Sequence, residues 1–287
     1  MKIIYCRRPK LLIMGLILLC LVLIGMGICM PKAVSTTGEE AVSLPIIMYH
    51  SILKDPARAG KFVVSPSQLE QDLIYLQENG YQTIFVSDLV AYVEQGTPLP
   101  EKPVIISLDD GYLNNKTYGL PLLEQYDMKA VVSIVGSYSQ HYTDIQDPRP
   151  SYAYLTWSDI QEMAESGHFE FGNHTYAFHG DNDRQGILRK TGEDMVVYQS
   201  IIEEDIMKNQ DALLEFAGIE CRLFTYPFGA SDAASDQIIR ELGFAASFSC
   251  YEKLNWIRRD PDCLYGLGRF NRPSGVSTES FMARLLP

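Results

Sequence analysis

Short apolar segments alternate with amphipathic segments along residues 44–287. This alternation is typical of parallel strands joined by crossover helices. Polar residues that are suited to catalysis follow several of the predicted strands. The sequence therefore predicts an α/β fold, a distorted TIM-like (β/α)7–8 barrel with its functional residues at the carboxyl ends of the strands, behind an N-terminal transmembrane helix.

Eight segments are predicted to form strands because they are short, apolar and bounded by turn residues. They are 45–48, 82–85, 104–108, 130–135, 169–171, 223–226, 245–249 and 264–270. Segment 104–108 is apolar throughout, which is typical of a strand buried on both faces.

Amphipathic helices are predicted between many of these strands. The clearest begins at Ser65 and ends at Gly80, two residue types that favour helix ends. Leu69, Leu73 and Leu76 recur on one face of this helix. The same periodicity predicts helices at 156–166 and 196–216.

The N-terminal residues predict a membrane anchor. Residues 11–30 contain no charged side chain and are long enough to cross a bilayer. The basic residues within 1–10 are expected to stay in the cytoplasm, which places the domain at 44–287 outside the cell. A cleaved signal peptide is the alternative, but its apolar region is normally shorter and followed by a better cleavage site. Residues 31–43 are predicted to form a flexible linker.

The charge of the chain argues against nucleic acid as a partner. Residues 1–32 hold five basic side chains and no acidic one, so the remainder carries 19 basic and 36 acidic side chains, a formal charge of −17. A nucleic-acid-binding domain normally presents a basic surface. We therefore expect no nucleic-acid partner.

Three cysteines lie beyond the predicted membrane segment, namely Cys221, Cys250 and Cys263. Since the number is odd, they cannot all pair within one chain. Cys250 and Cys263 could form one disulfide, and free thiols are the favoured alternative.

Two adjacent aspartates, Asp109 and Asp110, follow the strand at 104–108, and Gly111 permits a turn after them. Neighbouring strand residues point to opposite sides, so one carboxylate can face a metal ion while the other faces an attacking water. Taken alone, the motif is also a common turn sequence.

His174 and His179 favour the metal-site interpretation. On a helix their separation would place the two rings roughly 140° apart, so a loop suits them better. Gly172 and Asn173 interrupt the preceding strand, which places both rings near its carboxyl end. Two histidines and one carboxylate leave a coordination position open for water, as catalytic sites require.

Four motifs carry a family resemblance, and they occur along the chain as Tyr49-His50, Ser-Leu-Asp-Asp-Gly at 107–111, His174-Thr175 with His179, and Tyr-Pro-Phe-Gly at 226–229. In this order they resemble the polysaccharide deacetylases with a NodB-homology domain, over roughly residues 41–287. The spacing of the histidines and the early Tyr-His are more similar to the poly-N-acetylglucosamine deacetylase branch.

The resemblance implies a role for each site residue. Asp110, His174 and His179 are expected to bind one divalent metal ion, zinc first, with nickel, cobalt or iron as alternatives. Asp109 is expected to act as the general base and His50 as the general acid. For His50 the alternative is a strand-end histidine bonded to backbone.

The resemblance also implies that the lip of the site is a turn made of Tyr226, Pro227, Phe228 and Gly229. A backbone N–H near Phe228 would then help to hold the oxyanion. The arginine that usually precedes this turn and orients the catalytic aspartate is replaced by Thr225. Arg269 or Arg272 is expected to supply that charge, unless both belong to a solvated basic turn.

The expected activity is hydrolysis of N-acetyl groups from an N-acetylglucosamine-containing polysaccharide, with release of acetate. Peptidoglycan, exported poly-N-acetylglucosamine and chitin-like oligomers all remain open. Tyr112, Tyr176 and Trp157 could stack on sugar rings or pack in the core. Another metal-dependent amidohydrolase and an inactive carbohydrate-binding protein are the alternative functions.

Overall fold

The computed structural model describes residues 41–180 and 184–286. The predicted cytoplasmic segment 1–10, the membrane segment 11–30 and most of the linker 31–43 lie outside these residues. Within the two described ranges, no helix is both long enough and apolar enough to cross a membrane.

Short strands and longer helices alternate along the described residues. The strands are β1 (Val42–Leu44), β2 (Ile46–Tyr49), β3 (Ser51–Ile52), β4 (Val63–Val64), β5 (Gln82–Thr83), β6 (Pro103–Leu108), β7 (Ala130–Ile134), β8 (Phe169–Asn173), β9 (Leu223–Thr225), β10 (Ala246–Phe248), β11 (Asn255–Ile257) and β12 (Phe270–Asn271). The α-helices are α1 (Pro66–Glu78), α2 (Val86–Gln95), α3 (Leu120–Tyr126), α4 (Gly136–Ile145), α5 (Trp157–Glu165), α6 (Met195–Ala217), α7 (Ala233–Glu241) and α8 (Thr278–Leu285).

Eight strands form one parallel sheet in the order β10-β9-β8-β7-β6-β2-β12, with β5 paired to the start of β6. Phe248 in β10 bridges to Leu267, just ahead of β12. Since no longer ladder joins these two edges within the described ranges, the sheet is a curled half-barrel. Its parallel strands and crossover helices confirm the predicted α/β class.

Two of the predicted helices begin in the structure directly after the capping residues that the sequence indicates. The Ser65 side chain accepts a hydrogen bond from the Gln68 N–H at the start of α1, and Leu69, Leu73 and Leu76 are buried. A side-chain cap at Thr156 likewise precedes α5. These helices form where the capping residue and the apolar stripe agree.

The last predicted strand, at 264–270, differs from the structure. Leu264 ends a short helical turn, Leu267 forms a single bridge to Phe248, and the continuous pairing of β12 starts only at Phe270. Gly266 is left-handed with φ 64°, and a Cβ on Gly268 would lie 2.2 Å from Lys253 Cγ. These two glycines let the chain turn and approach another segment closely, which a continuous strand would not allow.

A small antiparallel pair was not predicted from the sequence. β1 pairs with β11 outside the main sheet, with Val42 opposite Ile257. β1 also includes Val42 and Ser43, which the sequence predicts to be part of the linker. Both strands are only three residues long, too short for an alternating pattern to be recognised.

Alternate residues on the central strands face the inside of the half-barrel, and their chemistry changes along each strand. Its lower layer is apolar and fully buried, comprising Ile46, Ile105, Val131 and Leu223. Two residues further along, Ser133 and Thr225 share a hydrogen bond of 2.7 Å between their side-chain oxygens. The next positions on two strands are His50 and Asp109, which line a cavity. Because side chains alternate between the two faces of each strand, the functional side chains lie directly above a layer of buried apolar side chains inside the half-barrel.

Candidate active site

An open cavity of ≈ 530 Å³ lies at the carboxyl ends of the strands. It is lined by Met48, His50, Lys61, Phe62, Asp109, Asp110, Tyr112, His174, His179, Phe228, Cys250, Glu252 and Asn271. The structure thus brings together the two aspartates, the three histidines of the motifs and one residue of the predicted lip.

Asp110, His174 and His179 form a compact group of potential metal ligands. Asp110 Oδ1 lies 3.6 Å from His174 Nε2 and 3.2 Å from His179 Nε2. One ligand atom from each of the three residues lies within 4.8 Å of the others. Asp110 Oδ1 is buried and accepts no hydrogen bond from any described residue. A buried, unpartnered carboxylate oxygen beside two imidazole nitrogens fits a divalent cation.

His174 is held with one ring nitrogen directed at Asp110. Its Nδ1–H donates a 2.6 Å hydrogen bond to the Thr225 carbonyl, which leaves Nε2 as the acceptor. Burial, reinforced by the neighbouring His179, lowers the pKa of His174 to about 4. The imidazole is therefore neutral near pH 7, the form that binds metals.

The loop between the two histidines is built around Thr175, which adopts a left-handed backbone conformation with φ 69°. Its N–H donates to Asn173 Oδ1 at 2.8 Å, and its carbonyl accepts from Asn209 Nδ2 at 3.1 Å. Asp205 accepts two further loop N–H groups, those of Tyr176 and Ala177. For a β-branched residue this conformation costs on the order of 1–3 kcal/mol, and these bonds from β8 and α6 offset it.

Asp110 lies in a second left-handed turn, so its side chain does not follow the alternating directions of the side chains in β6. Asp110 has φ 72° and Gly111 has φ 74°. A Cβ on Gly111 would lie 2.8 Å from Ile134 Cδ1, so a larger residue does not fit without a shift. The Asp109 N–H still donates to the Tyr49 carbonyl at 3.1 Å, next to the ladder between β6 and β2, while Asp110 turns, and both carboxylates reach the same cavity.

Asp109 is paired with Arg269, which precedes β12. Arg269 Nη1 and Nη2 donate to Asp109 Oδ1 and Oδ2 at 2.6 and 2.8 Å, and both side chains are buried. Burial alone would raise the pKa of Asp109, but the Arg269 guanidinium outweighs burial and holds that pKa below its ordinary value. Arg269 thus provides the charge that was expected near Asp109, in a chain that has Thr225 before the lip.

Arg272 does not face Asp109. Its guanidinium pairs instead with Asp72 on α1, with Nε 2.7 Å from Oδ2 and Nη2 2.9 Å from Oδ1. Both arginines are almost completely buried, so the alternative of a solvated basic turn is wrong for each.

His50 lies beside Asp109 with few fixed contacts of its own. His50 Nε2 is 3.9 Å from Asp109 Oδ2, and Nδ1 is buried without a hydrogen-bond partner among the described residues. The ring packs on Phe62, with 4.6 Å between ring centroids. No described backbone group bonds to the ring, so the alternative of a backbone-bonded histidine is not seen.

Only one residue of the predicted lip presents its side chain to the cavity. Phe228 is half exposed and stacks on His179, with ring centroids 4.7 Å apart. Tyr226 is buried, and its hydroxyl donates to Asp236 Oδ1 at 3.1 Å. Pro227 is buried as well, and Gly229 packs so closely that a Cβ would lie 2.5 Å from Cys250 Cβ. These three residues shape the turn.

The Phe228 backbone also has an unusual conformation. Its φ is 59°, the third left-handed non-glycine residue around the cavity after Asp110 and Thr175. Among the described residues, no group accepts a hydrogen bond from its N–H. A strained residue with an unpartnered donor at a cavity is a common feature of functional sites.

Tyr112, Tyr176 and Trp157, for which sugar stacking and core packing were both open, have different surroundings. Tyr112 lines the cavity and stacks on Tyr154, with 4.7 Å between ring centroids. Trp157 is buried in the core and donates from Nε1 to Gln140 Oε1, so it is not available to a sugar. Tyr176 lies outside the cavity beneath the Lys208 ammonium group.

Sequence reasoning missed several cavity residues. Cys250, Glu252 and Asn271 come at or just after strand ends, so the strand-end rule that identified His50 could have found them. Phe62 comes from the chain between β3 and β4, which no periodic pattern marked. The Cys250 thiol is free, as are Cys221 and Cys263, so the alternative of a disulfide is not seen.

A comparison with known protein families shows to which family this chain belongs. The model of one family, described as polysaccharide deacetylase, matches residues 96–247, more than half of the chain. The chain belongs to the polysaccharide deacetylase family.

Other polysaccharide deacetylases are similar to this chain. It is 26% identical over 227 residues to the poly-beta-1,6-N-acetyl-D-glucosamine N-deacetylase of Escherichia coli (strain K12), a match covering 71% of this chain and 33% of that protein. The enzyme of the same name from Staphylococcus epidermidis is 21% identical over 215 residues, covering 73% of this chain and 68% of that protein. The chain therefore spans about a third of the length of its Escherichia coli relative.

Solved structures show the same fold. IcaB from Ammonifex degensii superposes with a TM-score of 0.70 at 23% identity, covering 86% of this chain and 99% of that one. A de-N-acetylase from Aggregatibacter actinomycetemcomitans gives a TM-score of 0.71 at 20% identity, covering 85% and 100%. At these identities the likeness concerns the fold.

Proposed function

We propose that this polysaccharide deacetylase is a metal-dependent hydrolase that removes N-acetyl groups from an N-acetylglucosamine-containing polysaccharide and releases acetate. One observation carries the proposal. The three potential ligands Asp110, His174 and His179 lie within 4.8 Å of one another, beside an Asp109 held by a buried arginine. A metal site next to a second carboxylate suits hydrolysis of an amide.

Asp110 Oδ1, His174 Nε2 and His179 Nε2 would hold the metal ion. This set of one oxygen and two nitrogens suits zinc, and also nickel, cobalt or iron. When bound, such an ion polarises an amide carbonyl and acidifies water. His174 needs no deprotonation near pH 7 because burial lowers its pKa to about 4.

The protein's own groups would carry the protons. Asp109 is ionised because Arg269 lowers its pKa, and it would take a proton from the attacking water. His50 Nε2, 3.9 Å from Asp109 Oδ2, would give a proton to the leaving amine. The Phe228 N–H, which has no acceptor among the described residues, would donate to the oxyanion.

The names of the relatives favour one substrate. The proteins from Escherichia coli and Staphylococcus epidermidis are both called poly-beta-1,6-N-acetyl-D-glucosamine N-deacetylases. We therefore place exported poly-N-acetylglucosamine ahead of peptidoglycan and chitin-like oligomers. Residues 11–30 would anchor the enzyme in the membrane with the catalytic domain outside, where such a glycan occurs. Protease digestion of intact cells would test this location: protection of the domain would contradict it.

One assay tests the function. Acetate release is measured from oligomers of β-1,6-linked and β-1,4-linked N-acetylglucosamine, from peptidoglycan and from small acetamides, with metal-loaded wild type and Asp109→Asn. Acetate from a glycan that disappears in Asp109→Asn supports the proposal. Turnover of small amides alone would indicate a different amidohydrolase. Glycan binding without acetate would indicate an inactive carbohydrate-binding protein.

A further inference from the structure

The His50 side chain is positioned almost without hydrogen bonds of its own. Its Nδ1 has no partner among the described residues, and its Nε2 lies 3.9 Å from Asp109 Oδ2, beyond hydrogen-bonding distance. Its ring packs on Phe62, a contact that has no donor and acceptor to fix the direction of the imidazole. The position of the imidazole therefore depends on the backbone at the end of β2.

That backbone is held at two points: the His50 carbonyl accepts a 2.8 Å hydrogen bond from Asn115 Nδ2, and the preceding residue, Tyr49, is anchored by a side chain that points away from the cavity. The Tyr49 hydroxyl donates a 2.8 Å hydrogen bond to Asp72 Oδ2. Asp72 is itself held by Arg272 through Nε and Nη2, and by the Thr278 hydroxyl at 2.6 Å. All four side chains are buried. Buried groups that are satisfied in this way have one arrangement, because each alternative leaves a charge or a donor unpaired.

The arginines on either side of strand β12 contact the surroundings of both Asp109 and His50. Arg269 and Arg272 flank β12 three residues apart, so they project to opposite faces. Arg269 points to the inner face of the half-barrel and holds Asp109, whereas Arg272 points outward and holds Asp72. The Arg272 N–H also donates to the Met48 carbonyl at 2.9 Å, which ties β12 to β2 directly before Tyr49 and His50.

We infer that the buried pair of Asp72 and Arg272 acts through Tyr49 as the positioning device for His50. It sets the height of the imidazole above Asp109, while Arg269 sets the position of Asp109 itself. Tyr49, Asp72 and Arg272 touch no reacting atom and are positioning residues. The inference rests on the proposed role of His50 as general acid.

Tyr49→Phe tests the inference because it removes one hydroxyl and leaves the ion pair intact. Tyr198→Phe is the matched control: Tyr198 is also buried, and its hydroxyl donates 2.8 Å to the Ile187 carbonyl on another part of the domain. For Tyr49→Phe we expect kcat to fall on the order of tenfold, with KM within about twofold, because a small displacement of a catalytic group lowers the rate more than binding. For Tyr198→Phe we expect kcat to stay near wild type.

A second measurement does not depend on activity. The full chain in detergent is labelled at histidine, and the His50 imidazole signal, assigned with His50→Gln, is recorded by NMR in both variants. We expect the chemical shift of this signal to change in Tyr49→Phe and to stay at the wild-type value in Tyr198→Phe. Asp72→Asn should change the chemical shift of the His50 signal further. Because this substitution leaves Arg272 buried without its charge partner and endangers folding, the test of the inference relies on Tyr49→Phe.

The outcomes separate this inference from the proposed function. An unmoved His50 signal in Tyr49→Phe overturns the inference, as does a loss of kcat no larger than that of Tyr198→Phe. If the wild type releases no acetate from any glycan, the proposed function fails, and the NMR comparison alone then decides the positioning role.

Discussion

Arg269 and Asp109 form a bidentate ion pair within the cavity wall, with both donor–acceptor distances below 2.9 Å. The pair is buried, and Arg269 also donates from Nε to the Ser249 carbonyl at 2.9 Å. The guanidinium therefore has a fixed orientation, and it fixes the carboxylate in turn. In this chain, which has Thr225 directly before the lip turn, the charge beside Asp109 comes from Arg269, just ahead of β12.

Substitution of Arg269 should change both stability and pH dependence. In Arg269→Gln, Asp109 remains buried without its partner, so we expect a loss of about 3–5 kcal/mol of unfolding free energy near pH 7. The pKa of Asp109 should rise because the guanidinium that opposes the effect of burial is gone, which moves the acidic limb of kcat/KM to higher pH. Chemical unfolding and a pH–rate profile measure the two effects.

The control for this substitution is Arg222→Gln. It removes an exposed ion pair with Glu94, whose charged atoms are 3.2 Å apart, and should cost no more than about 1 kcal/mol. In the wild type, the Asp109 pKa is depressed by folding, so the stability from the pair is present above the unfolded pKa of about 3.9 and is lost as pH falls through the folded value. An acidic limb that stays in place in Arg269→Gln would contradict the pairing argument.

Metal content should follow the three proposed ligands. We expect Asp110→Ala, His174→Ala and His179→Ala each to abolish stoichiometric metal binding, as measured by elemental analysis after dialysis. His168→Ala is the matched control, because that ring bonds to the Met128 carbonyl at 2.9 Å, away from the cavity. A chelator should lower the thermal midpoint of the wild type, since a ligand at a thousand times its Kd stabilises by about 4 kcal/mol. Full metal occupancy in His179→Ala would refute the assignment.

Asp205 should make stability depend on pH between about 4 and 6. Burial raises the pKa of Asp205 to about 6, against the opposing effect of the Tyr176 and Ala177 N–H groups. Because the folded pKa exceeds the unfolded value of about 3.9, the native state binds the extra proton and unfolding free energy falls as pH rises through this window. Asp205→Asn should remove that slope in urea unfolding between pH 4 and 7. The exposed change Asp211→Asn on the same helix is the control, and a slope that survives in Asp205→Asn would disprove the assignment.

Gly111 should tolerate alanine far less well than Gly80. Both glycines have φ +74°, but a Cβ meets nothing within 4 Å at Gly80 and lies 2.8 Å from Ile134 Cδ1 at Gly111. Both substitutions cost about 1–2 kcal/mol for the left-handed backbone. Only Gly111→Ala adds overpacking of about 1–3 kcal/mol, and it should also reduce metal binding by shifting Asp110. Adding Ile134→Val removes the clashing atom and should restore part of both losses. Equal unfolding free energies for the two alanine variants would rule out the clash.

Residues that follow a predicted strand were located well from the sequence. His50, Asp109, Asp110, His174 and His179 reach one cavity because parallel strands bring their carboxyl ends to one edge. For Trp157 the sequence left sugar stacking and core packing open, because amphipathicity shows that a helix has a buried face but not which aromatic residue lies on it; the structure places this residue in the core. The partner of Arg272 was beyond prediction, since Asp72 sits on α1, 200 residues away along the chain.

The long distances along the chain between these ion-pair partners also affect the order in which contacts form during folding. Arg269 lies 160 residues after Asp109, and Arg272 lies 200 residues after Asp72. Pairings across such distances form slowly during folding, because a large loop must close before the contact contributes. The helices and the three potential metal ligands in the middle of the chain can therefore assemble before Asp109 has its partner. After refolding from denaturant, we expect catalytic activity to return later than helical structure.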